Sequence, residues 1–568
     1  MHTLKYFAGL IIVIVLGGCA AQTPGQQRSR SGAPVASTHT NNILRYAIGA
    51  SSGLRGAFDS LYSMDVHDGF VGGLIHESLL DTDDELRYSE GMASYEYDRK
   101  TNTITLRLER EVYWHDGTPL TLDDLVFAYE VISHPDYDGI RSVNQFLNVV
   151  GAEEYHIGQA DTIAGLELSE NGKELKIRLH KLLPTTLMGG GFWAVPAPRH
   201  WLGHIPVAEL ASHPRTRGQT LGTGPFKLVS AVPGEAVQLR RFEKYWQGEP
   251  KLFGIDIEVM NPELIPLAME TGRFDIAPFS AQQLADFPNP QNFSYMPNRD
   301  SAGAFGYLGF RFSTNCTKPN NKNTQRHIEN PELRRALAHA VDYTKLGKKL
   351  YNGLRYPATS ILPPLHEALQ DHALEGFGYS PRLSEKILDE AGFIDINGDG
   401  IREAPDGSPL WLVWATMSGE GSDVYVAYKL QAWRDIGLDV RLFQGRTHEF
   451  NTFYNYLGED STEIDMFDAG WVMGYDPNPR RLWGEDSPQN YTRYTSARFR
   501  KLMDDLEQDQ MWDEVIRKQQ YQKWQQAFHE EIPAIPTLWR REVSAVGTRV
   551  LGYSEDVQWH LVELKTNA

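Results

Sequence analysis

Cysteine is almost absent from this sequence, with only Cys19 and Cys316 in 568 residues. So few thiols exclude a disulfide-stabilised scaffold and a metal centre built from several cysteines. Stability must therefore come from packed hydrophobic cores. Single cores stop growing at about 250–300 residues. We therefore expect two or three domains with a cleft between them.

An excess of positive charge is also missing. The 74 Asp and Glu residues outnumber the 55 Lys and Arg residues, which gives a formal net charge of −19. Binding to nucleic acid requires a basic face that neutralises phosphates, so we expect no nucleic-acid partner. With 41% hydrophobic and 11% aromatic residues, the composition is that of a globular protein rather than a disordered or fibrous one.

Long hydrophobic runs are scarce as well. No segment after residue 40 contains the roughly 20 consecutive apolar residues that a membrane-spanning helix needs. The apolar run from Phe7 to Leu16 is shorter and has the length of the hydrophobic region of an export signal. It leads into LGGC, which resembles the bacterial lipobox, whose cysteine becomes a lipidated N-terminus. We therefore predict a signal peptide over residues 1–18 and lipidation at Cys19, with ordinary secretion as the alternative.

Residues 20–40 contain neither Asp nor Glu and almost no large apolar side chain. Such a composition cannot bury enough apolar surface to fold, so residues 19–40 are predicted to be a lipidated cysteine followed by a flexible tether. We expect a protein that works outside the cytoplasm, either in the periplasm or at the cell surface. Its lipid would anchor it to the membrane.

The remaining chain alternates the patterns of strands and helices, which predicts an α/β fold. Residues 41–48 (NNILRYAI) and 103–108 (TITLRL) have the apolar spacing of strands. Helices are predicted after the Asn-Pro at 330–331 and the Ser-Pro at 380–381. At both places a capping residue precedes a proline at the first helical position.

Two further segments have helical patterns. Thr121 stands three residues before Asp124, which is close to a capping box and predicts that the Thr121 hydroxyl caps the next helix. Residues 496–531 form a long polar and aromatic stretch that is also predicted to be helical.

Two motifs suggest catalytic or zinc chemistry. Residues 49–53 (GASSG) match G-x-S-x-G directly after a predicted strand, so Ser51 is a candidate hydrolase nucleophile. The helix that should follow a nucleophile elbow is missing from the pattern, and a plain Gly/Ser turn is the alternative. His200 and His204 have the spacing of two zinc ligands on one helical face. No third ligand is evident, so the sequence contains no strong catalytic or zinc motif.

A cluster of oxygen ligands at Asp395, Asn397 and Asp399 has the spacing of a calcium-binding loop. Asp406 occupies the twelfth place, where the EF-hand has a bidentate glutamate, and a predicted strand follows instead of a helix. An Asx/Gly turn between a helix and a strand explains the same residues without metal. Calcium is therefore one of two interpretations of this loop, and no other cofactor is expected.

Several long motifs resemble the extracellular solute-binding proteins of family 5, the peptide and nickel receptors of ABC importers. They occur in that family's order and spacing, and the resemblance covers essentially residues 41–560. The motifs are VYWHDGTPLTLDDLVFAYE (112–130), GTGPFKLVS (222–230), NPELRRALAHAVDYTKL (330–346), AGFIDINGDGIRE (391–403) and EEIPAIPTLW (530–539). Residues 54–80 and 470–484 look most like the oligopeptide receptors of that family, which accept longer peptides.

The resemblance implies a two-lobe periplasmic-binding-protein-like fold with mixed sheets, a hinge, and an additional subdomain in the first lobe. The implied core of the first lobe comprises residues 41–75, 201–304 and 539–568. The subdomain would span residues 76–200, and the second lobe residues 305–538. An extended peptide would lie in the cleft and pair its main chain with exposed strand edges.

The same resemblance suggests residues that contact the ligand. Short-peptide receptors of the family have a Trp-x-x-Asp pattern whose acid meets the ligand's ammonium group, but here the matching position is Gly474. Asp476 lies two residues later and is the substitute candidate, with a turn or capping role as the alternative. The other candidates, by position in the family pattern, are Trp471, Tyr475, Tyr307 and Phe310, and for each a place in the core is the alternative.

The sequence therefore predicts a monomeric lipoprotein that binds oligopeptides and delivers them to the permease subunits of an ABC transporter, without covalent chemistry. Two other functions stay open, namely an extracellular serine hydrolase using Ser51 and a peptide-sensing or adhesion lipoprotein on the same scaffold. Within the receptor class the ligand could also be a dipeptide, a metal chelate or a glycopeptide.

Overall fold

The computed structural model of the chain describes most of the predicted folded body. The described residues are 42–49, 53–63, 66–139, 141, 146–298, 303–312, 325–419, 421–459, 461, 463–554 and 556–565. Within these ranges, no helix is both long enough and apolar enough to cross a membrane. The predicted signal peptide, Cys19 and the tether lie outside the described residues, as does Ser51.

The described residues contain 21 strands. In chain order they are β1 (Ile43–Gly49), β2 (Leu80–Thr82), β3 (Tyr88–Glu90), β4 (Ser94–Asp98), β5 (Thr103–Arg107), β6 (Leu166–Leu168), β7 (Glu174–Arg178), β8 (Phe226–Val232), β9 (Ala236–Arg241), β10 (Gly254–Met260), β11 (Ile276–Phe279), β12 (Phe293–Asn298), β13 (Ala304–Phe310), β14 (Arg355–Pro357), β15 (Leu412–Ala415), β16 (Val440–Leu442), β17 (Met466–Val472), β18 (Ala534–Arg540), β19 (Glu542–Gly547), β20 (Val550–Leu551) and β21 (Glu563–Leu564).

Sixteen α-helices accompany them in the same residues. They are α1 (Val66–Ile75), α2 (Asp123–Ser133), α3 (Ala152–His156), α4 (Arg199–Leu202), α5 (Val207–Leu210), α6 (Ile265–Glu270), α7 (Ala281–Asp286), α8 (Gln325–Ile328), α9 (Pro331–His339), α10 (Tyr343–Leu350), α11 (Pro381–Glu390), α12 (Ser422–Arg434), α13 (Phe450–Gly458), α14 (Arg480–Trp483), α15 (Ala497–Asp505) and α16 (Glu514–Glu531).

The first lobe is built on a seven-stranded sheet with the order β12-β19-β11-β1-β10-β9-β8. The opening strand β1 is parallel to both of its neighbours, and the outer strands run antiparallel. Leu44, Ile257 and Ile276 on the central strands are completely buried, so the sheet forms the middle of this lobe's core. Apolar side chains on both faces explain the hydrophobic pattern of β1.

The second lobe is built on a six-stranded sheet with the order β14-β18-β13-β17-β15-β16. Strand β13 is antiparallel to both β17 and β18, whereas β15 is parallel to β17 and β16. Trp414 on β15 and Trp433 on α12 are completely buried and meet edge to face with ring centroids 5.1 Å apart. The two sheets confirm the α/β fold with mixed sheets and two lobes.

A separate four-stranded sheet, β4-β5-β7-β6, packs with α2 on one side of the first lobe. The motif at residues 112–130 anchors this region. Trp114 is completely buried and donates its indole N–H to the Asp124 carboxylate over 3.2 Å. The same carboxylate accepts the backbone N–H groups of Thr121 and Arg199. A buried carboxylate with three donors is well satisfied, which gives this motif a structural role.

The chain passes between the two large sheets at two neighbouring places. One connection joins β12 to β13, and the other is the single residue Arg541 between β18 and β19. Because β12 pairs with β19 and β13 pairs with β18, the strand ends that these two connections join lie side by side. We take these two places, where the chain changes sheet, as the hinge. The exact domain boundaries drawn from the sequence stay predictions.

Local details confirm some helix predictions and correct others. Asn330 and Ser380 cap α9 and α11 through their side chains, as predicted. The prediction that the Thr121 hydroxyl caps α2 is wrong, because Asp124 turns back and accepts the Thr121 backbone N–H over 3.1 Å. The helical stretch at 496–531 is divided into α15, a short 3₁₀ helix (Asp509–Trp512) and α16, whose first N–H groups are capped by the Asp513 carboxylate.

Candidate functional site

A cavity of about 800 Å³ opens on the second lobe, and we call it the second-lobe cavity. Its described walls come from β13, β17 and β18 and from the beginnings of α12 and α13. Aromatic side chains dominate these walls, among them Phe305, Tyr307, Tyr425, Tyr454, Trp471 and Tyr491. Aromatic rings provide a large contact area together with polar groups, which suits a site for amphipathic ligands.

Strand β17 leaves part of its backbone open beside this cavity. It pairs with β13 along its whole length, from Met466 to Val472. On its other side it pairs with β15 only at Met466 and Phe467. The segment Asp468–Val472 therefore has no strand partner on that side among the described residues, and all five of its residues line the cavity. An extended chain can pair with such an edge.

A buried ion pair supports the wall of the second-lobe cavity. Lys429 on α12 donates its Nζ to both carboxylate oxygens of Asp468 on β17, over 2.7 and 2.9 Å. The Lys429 side chain is completely buried, whereas that of Asp468 is 12% exposed. Burial lowers the pKa of Lys429, and the Asp468 carboxylate opposes that shift.

A second cavity, of about 500 Å³, lies between the lobes, and we call it the cleft cavity. Its described lining comes from the first lobe except for Tyr475, which belongs to the second lobe. Glu77 and Asp81 provide carboxylates, and the described lining contains neither lysine nor arginine. Trp246 and Phe192 add aromatic walls.

Glu77 is held in an aromatic corner of the cleft cavity. It accepts hydrogen bonds from the Tyr245 hydroxyl (2.8 Å) and the Trp246 indole N–H (2.9 Å). Burial nevertheless raises the pKa of Glu77 to about 7, and the negative charge of Asp81 adds to this. Beside it, burial lowers the pKa of His76 to about 4, so that imidazole is neutral near pH 7.

The lobes also touch through residues that line neither cavity. Trp512 of the second lobe stacks on Tyr97, with ring centroids 5.3 Å apart and an interplanar angle of 16°. The guanidinium carbon of Arg99 lies 4.7 Å from the centroid of the same indole ring. Arg87 forms an ion pair with Glu514 over 3.3 Å. These contacts hold the subdomain against the second lobe.

The structure brings three of the predicted binding residues to the cavities. Trp471 and Tyr307 line the second-lobe cavity, and Tyr475 lines the cleft cavity. Tyr307 is only 2% exposed and packs edge to face on Trp483, so it forms the floor rather than the rim. The roles of these residues in binding a ligand stay predictions.

The other two candidates lie elsewhere. Phe310 is completely buried in the core of the second lobe and lines neither cavity, which corresponds to the alternative stated for it. Asp476 also lines neither cavity. It accepts the backbone N–H of Asn478 over 3.0 Å in the turn before α14, and burial raises its pKa. This geometry fits a turn residue better than an anchor for the ligand's amine.

The predicted metal sites have different outcomes. His200 bonds Asp116 over 2.9 Å, whereas His204 accepts a hydrogen bond from Arg215, so the two imidazoles do not converge. In the calcium-like loop, Asp395 accepts the backbone N–H groups of Gly398 and Gly400.

Asn397 accepts the backbone N–H of Asp399 in the same loop. Across the described part of the chain, no group of three or more His, Cys, Asp or Glu side chains has the arrangement of a metal site. Calcium binding at Asp395, Asn397 and Asp399 stays a prediction.

Sequence reasoning missed Lys429, Asp468 and Glu77. Each is a charged residue next to apolar or aromatic neighbours, as in AYKLQAW around Lys429 and MFDAGW around Asp468. A lone charge on the buried face of a helix or strand needs a partner. That signal was visible in both segments, but the partner was not, because the two residues lie 39 positions apart.

Comparisons with known proteins agree with this architecture. The family model described as "Bacterial extracellular solute-binding proteins, family 5 Middle" matches residues 88–493. The chain is 27% identical over 492 residues to the oligopeptide-binding protein OppA of Lactococcus lactis subsp. cremoris, covering 84% of this chain and 82% of that protein. It is 24% identical to the oligopeptide-binding protein AppA of Bacillus subtilis, covering 92% of this chain and 90% of AppA.

Solved structures show the same fold. Lactococcal OppA, complexed with an endogenous peptide in the closed conformation, superposes with a TM-score of 0.77 at 26% identity, covering 92% of this chain and 99% of that one. NikZ from Campylobacter jejuni in complex with Ni(L-His) superposes with a TM-score of 0.69 at 20% identity, covering 92% and 99%. The fold alone therefore does not distinguish a peptide from a metal chelate.

Proposed function

This chain belongs to family 5 of the bacterial extracellular solute-binding proteins, and from that membership we propose that it captures oligopeptides and delivers them to an ABC transporter. The binding would take place outside the cytoplasm, between the two lobes. The names of its relatives support this choice of ligand, since OppA and AppA are both oligopeptide-binding proteins.

The observation that carries the proposal is the open edge of β17 beside an aromatic cavity. A peptide that pairs with the backbone of Asp468–Val472 gains main-chain hydrogen bonds that do not depend on its sequence. A side chain next to the paired segment can then enter the second-lobe cavity, which has room for it. Affinity from the main chain combined with roomy side-chain sites is what a receptor for mixed peptides requires.

Capture and release would follow from the hinge. A peptide that touches both lobes binds the closed state more tightly than the open state, so it shifts the population towards closure. Because the chain passes between the two large sheets at only two places among the described strands, one of them at Arg541, the lobes could rotate without breaking either sheet. We propose that the closed, loaded form is the one that docks on the permease, where opening releases the peptide intact.

The proposal includes no covalent chemistry. Among the described residues, the serines that line the two cavities are Ser78, Ser418 and Ser422, and none of their hydroxyls is hydrogen-bonded to an imidazole; Ser418 meets His448 only through backbone atoms. A hydrolase using Ser51 is the competing function, and a sensing or adhesion lipoprotein on the same scaffold is another. We further propose that the mature protein is a monomer tethered to the membrane by a lipid on Cys19, as the LGGC motif suggests.

Mass spectrometry of protein freshly purified from its membrane tests these points together. Native spectra of the wild type should show retained peptides of mixed sequence, and denaturing spectra should show a mature N-terminus at Cys19 with added lipid mass. Peptides incubated with the protein should keep their intact masses. A homogeneous non-peptide ligand would overturn the choice of substrate, and cleavage that disappears in Ser51→Ala would establish the hydrolase instead.

A further inference from the structure

The pair of Lys429 and Asp468 lies in an unusual place for two charges. Asp468 is one of the residues that line the second-lobe cavity, and Lys429 meets it from behind the wall. Both carboxylate oxygens accept from the same ammonium group, so the negative charge of Asp468 is already paired when a molecule enters the cavity.

Lys429 is fixed in this position by aromatic rings. Its ammonium nitrogen lies 4.8 Å from the ring centroid of Trp414, 5.0 Å from that of Trp433 and 5.1 Å from that of Tyr425. The Tyr425 hydroxyl is also 3.3 Å from the nitrogen. Such a box stabilises a cation by its π-electrons and excludes water. The lysine therefore cannot turn outwards to bind a ligand, and it acts only on Asp468.

The charge that a ligand meets in the cavity follows from this arrangement. Among the described residues of the lining, Asp468 is the only carboxylate, whereas Arg355 and Arg540 are both cationic. With Asp468 neutralised by Lys429, a positively charged side chain entering the cavity would lose its hydration and find no free counter-ion. Large uncharged side chains contact the aromatic walls there, and their burial does not remove the hydration of a charged group.

We infer that Lys429 is a specificity-determining residue, which excludes cationic side chains from the second-lobe cavity and reserves it for large uncharged side chains of the bound peptide. The inference rests on the proposed function, since it specifies which peptides that site accepts. A purely structural pair would affect stability when it is broken, because an unpaired charge is left in the protein, but it would not change which side chains the cavity accepts.

The wild-type protein gives the first test. A set of alanine-based peptides carries either norleucine or lysine at each position in turn, which changes the side chain mainly by its charged group. Calorimetry at pH 8 should identify one position at which norleucine binds at least about tenfold more tightly than lysine. Equal affinities at every position would overturn the inference, although the peptides would still bind and the proposed function would stand.

Two variants then identify the residue responsible. Lys429→Met keeps the volume of the side chain but leaves Asp468 without its partner, so the preference for norleucine over lysine should fall by at least about tenfold. The double variant Lys429→Met with Asp468→Asn has no charge at either position, and it should regain the wild-type preference. Lys348→Met, at an exposed lysine on α10, is the matched control and should behave as wild type.

Two results would contradict a role of the ion pair in selection. A preference that stays at the wild-type value in Lys429→Met, or one that the double variant does not restore, would show that the pair has no role in selection. If Lys429→Met does not fold, Lys429→Gln takes its place, because its neutral amide also leaves Asp468 without a cation and the same loss of preference is expected. Absence of binding by any peptide would instead contradict the proposed function.

Discussion

At the scale of single residues, the environment of the cleft cavity raises the pKa of one side chain, that of Glu77. Its carboxylate accepts two hydrogen bonds from Tyr245 and Trp246, yet burial still raises its pKa to about 7. Asp81 adds a second negative charge nearby, and the guanidinium carbon of Arg110 lies 5.2 Å from the centroid of the Trp246 ring. The folded protein therefore holds a proton on Glu77 at a pH where the unfolded chain has released it.

This linkage predicts a pH dependence of stability. A pKa raised by folding gives a contribution that is fully present below pH 4.5 and is lost as the pH rises through about 7. We expect the free energy of unfolding of the wild type, relative to that of Glu77→Gln, to fall by about 2 kcal/mol between pH 5 and pH 8. Denaturant unfolding of both proteins across this range measures the difference, since other groups titrate equally in the two. A difference that stays constant or rises with pH would contradict the prediction.

The candidate site was only partly predictable from single residues. The resemblance to a known family pointed to Trp471, Tyr475 and Tyr307, which the structure places at the two cavities. The ion pair of Lys429 and Asp468 could not be predicted, because it forms between a helix and a strand that are distant in the sequence. Local patterns predict that a charge needs a partner, but not which residue provides it.

At the scale of elements, the end of α1 and the loop before β8 are joined very closely. The carbonyl of Ile75, the last residue of α1, accepts the backbone N–H of Gly224 over 2.8 Å. A Cβ added at Gly222 would lie only 1.9 Å from the same oxygen. Glycine is required here by the close approach of two backbones, since even a methyl group has no space.

Gly222→Ala should therefore destabilise the protein by about 2–4 kcal/mol, because the loop must move away from α1 and give up its hydrogen bond. Gly218→Ala is the matched control in the same loop. A Cβ there has no atom within 4 Å, so its stability should change little. Thermal unfolding of both variants compares them directly. Equal melting temperatures would show that the loop accommodates the methyl group without cost.

Element boundaries were predictable where the signal was local. Asn330 and Ser380 cap their helices as the sequence suggested, because a capping residue acts on N–H groups two or three positions away. The capping prediction for Thr121 was wrong because the Asp124 carboxylate accepts the Thr121 backbone N–H instead. The same carboxylate also accepts the indole N–H of Trp114. The order of strands in the two sheets was beyond local reasoning, since it depends on contacts between remote segments.

At the scale of the whole molecule, side chains of the two lobes contact each other directly outside the two cavities. Trp512 lies between the second lobe and the subdomain, stacked on Tyr97 and close to Arg99. The exposed ion pair of Arg87 with Glu514 adds little by comparison, because water screens it. We therefore expect the stacked indole ring to contribute more than this ion pair to holding the lobes together.

Trp512→Ala should shift the ligand-free protein towards the open form and weaken peptide binding by about five- to tenfold, mainly through faster dissociation. Small-angle X-ray scattering should show a larger radius of gyration for this variant without peptide. Tyr379→Ala, which removes an aromatic side chain that is 54% exposed, provides the control. If scattering curves and affinities match those of the wild type, the stacking does not influence closure.

The chain crosses between the lobes twice, between β12 and β13 and again at Arg541, and this order of segments determines which lobe can fold first. Residues 304–540 contain every strand of the six-stranded sheet, so this body can fold from one uninterrupted stretch. The seven-stranded sheet cannot, because β19 lies between β11 and β12 and is made from residues 542–547. Export from the N-terminus onwards, as the proposed signal peptide implies, would therefore complete the second lobe while the first lobe still lacks β19.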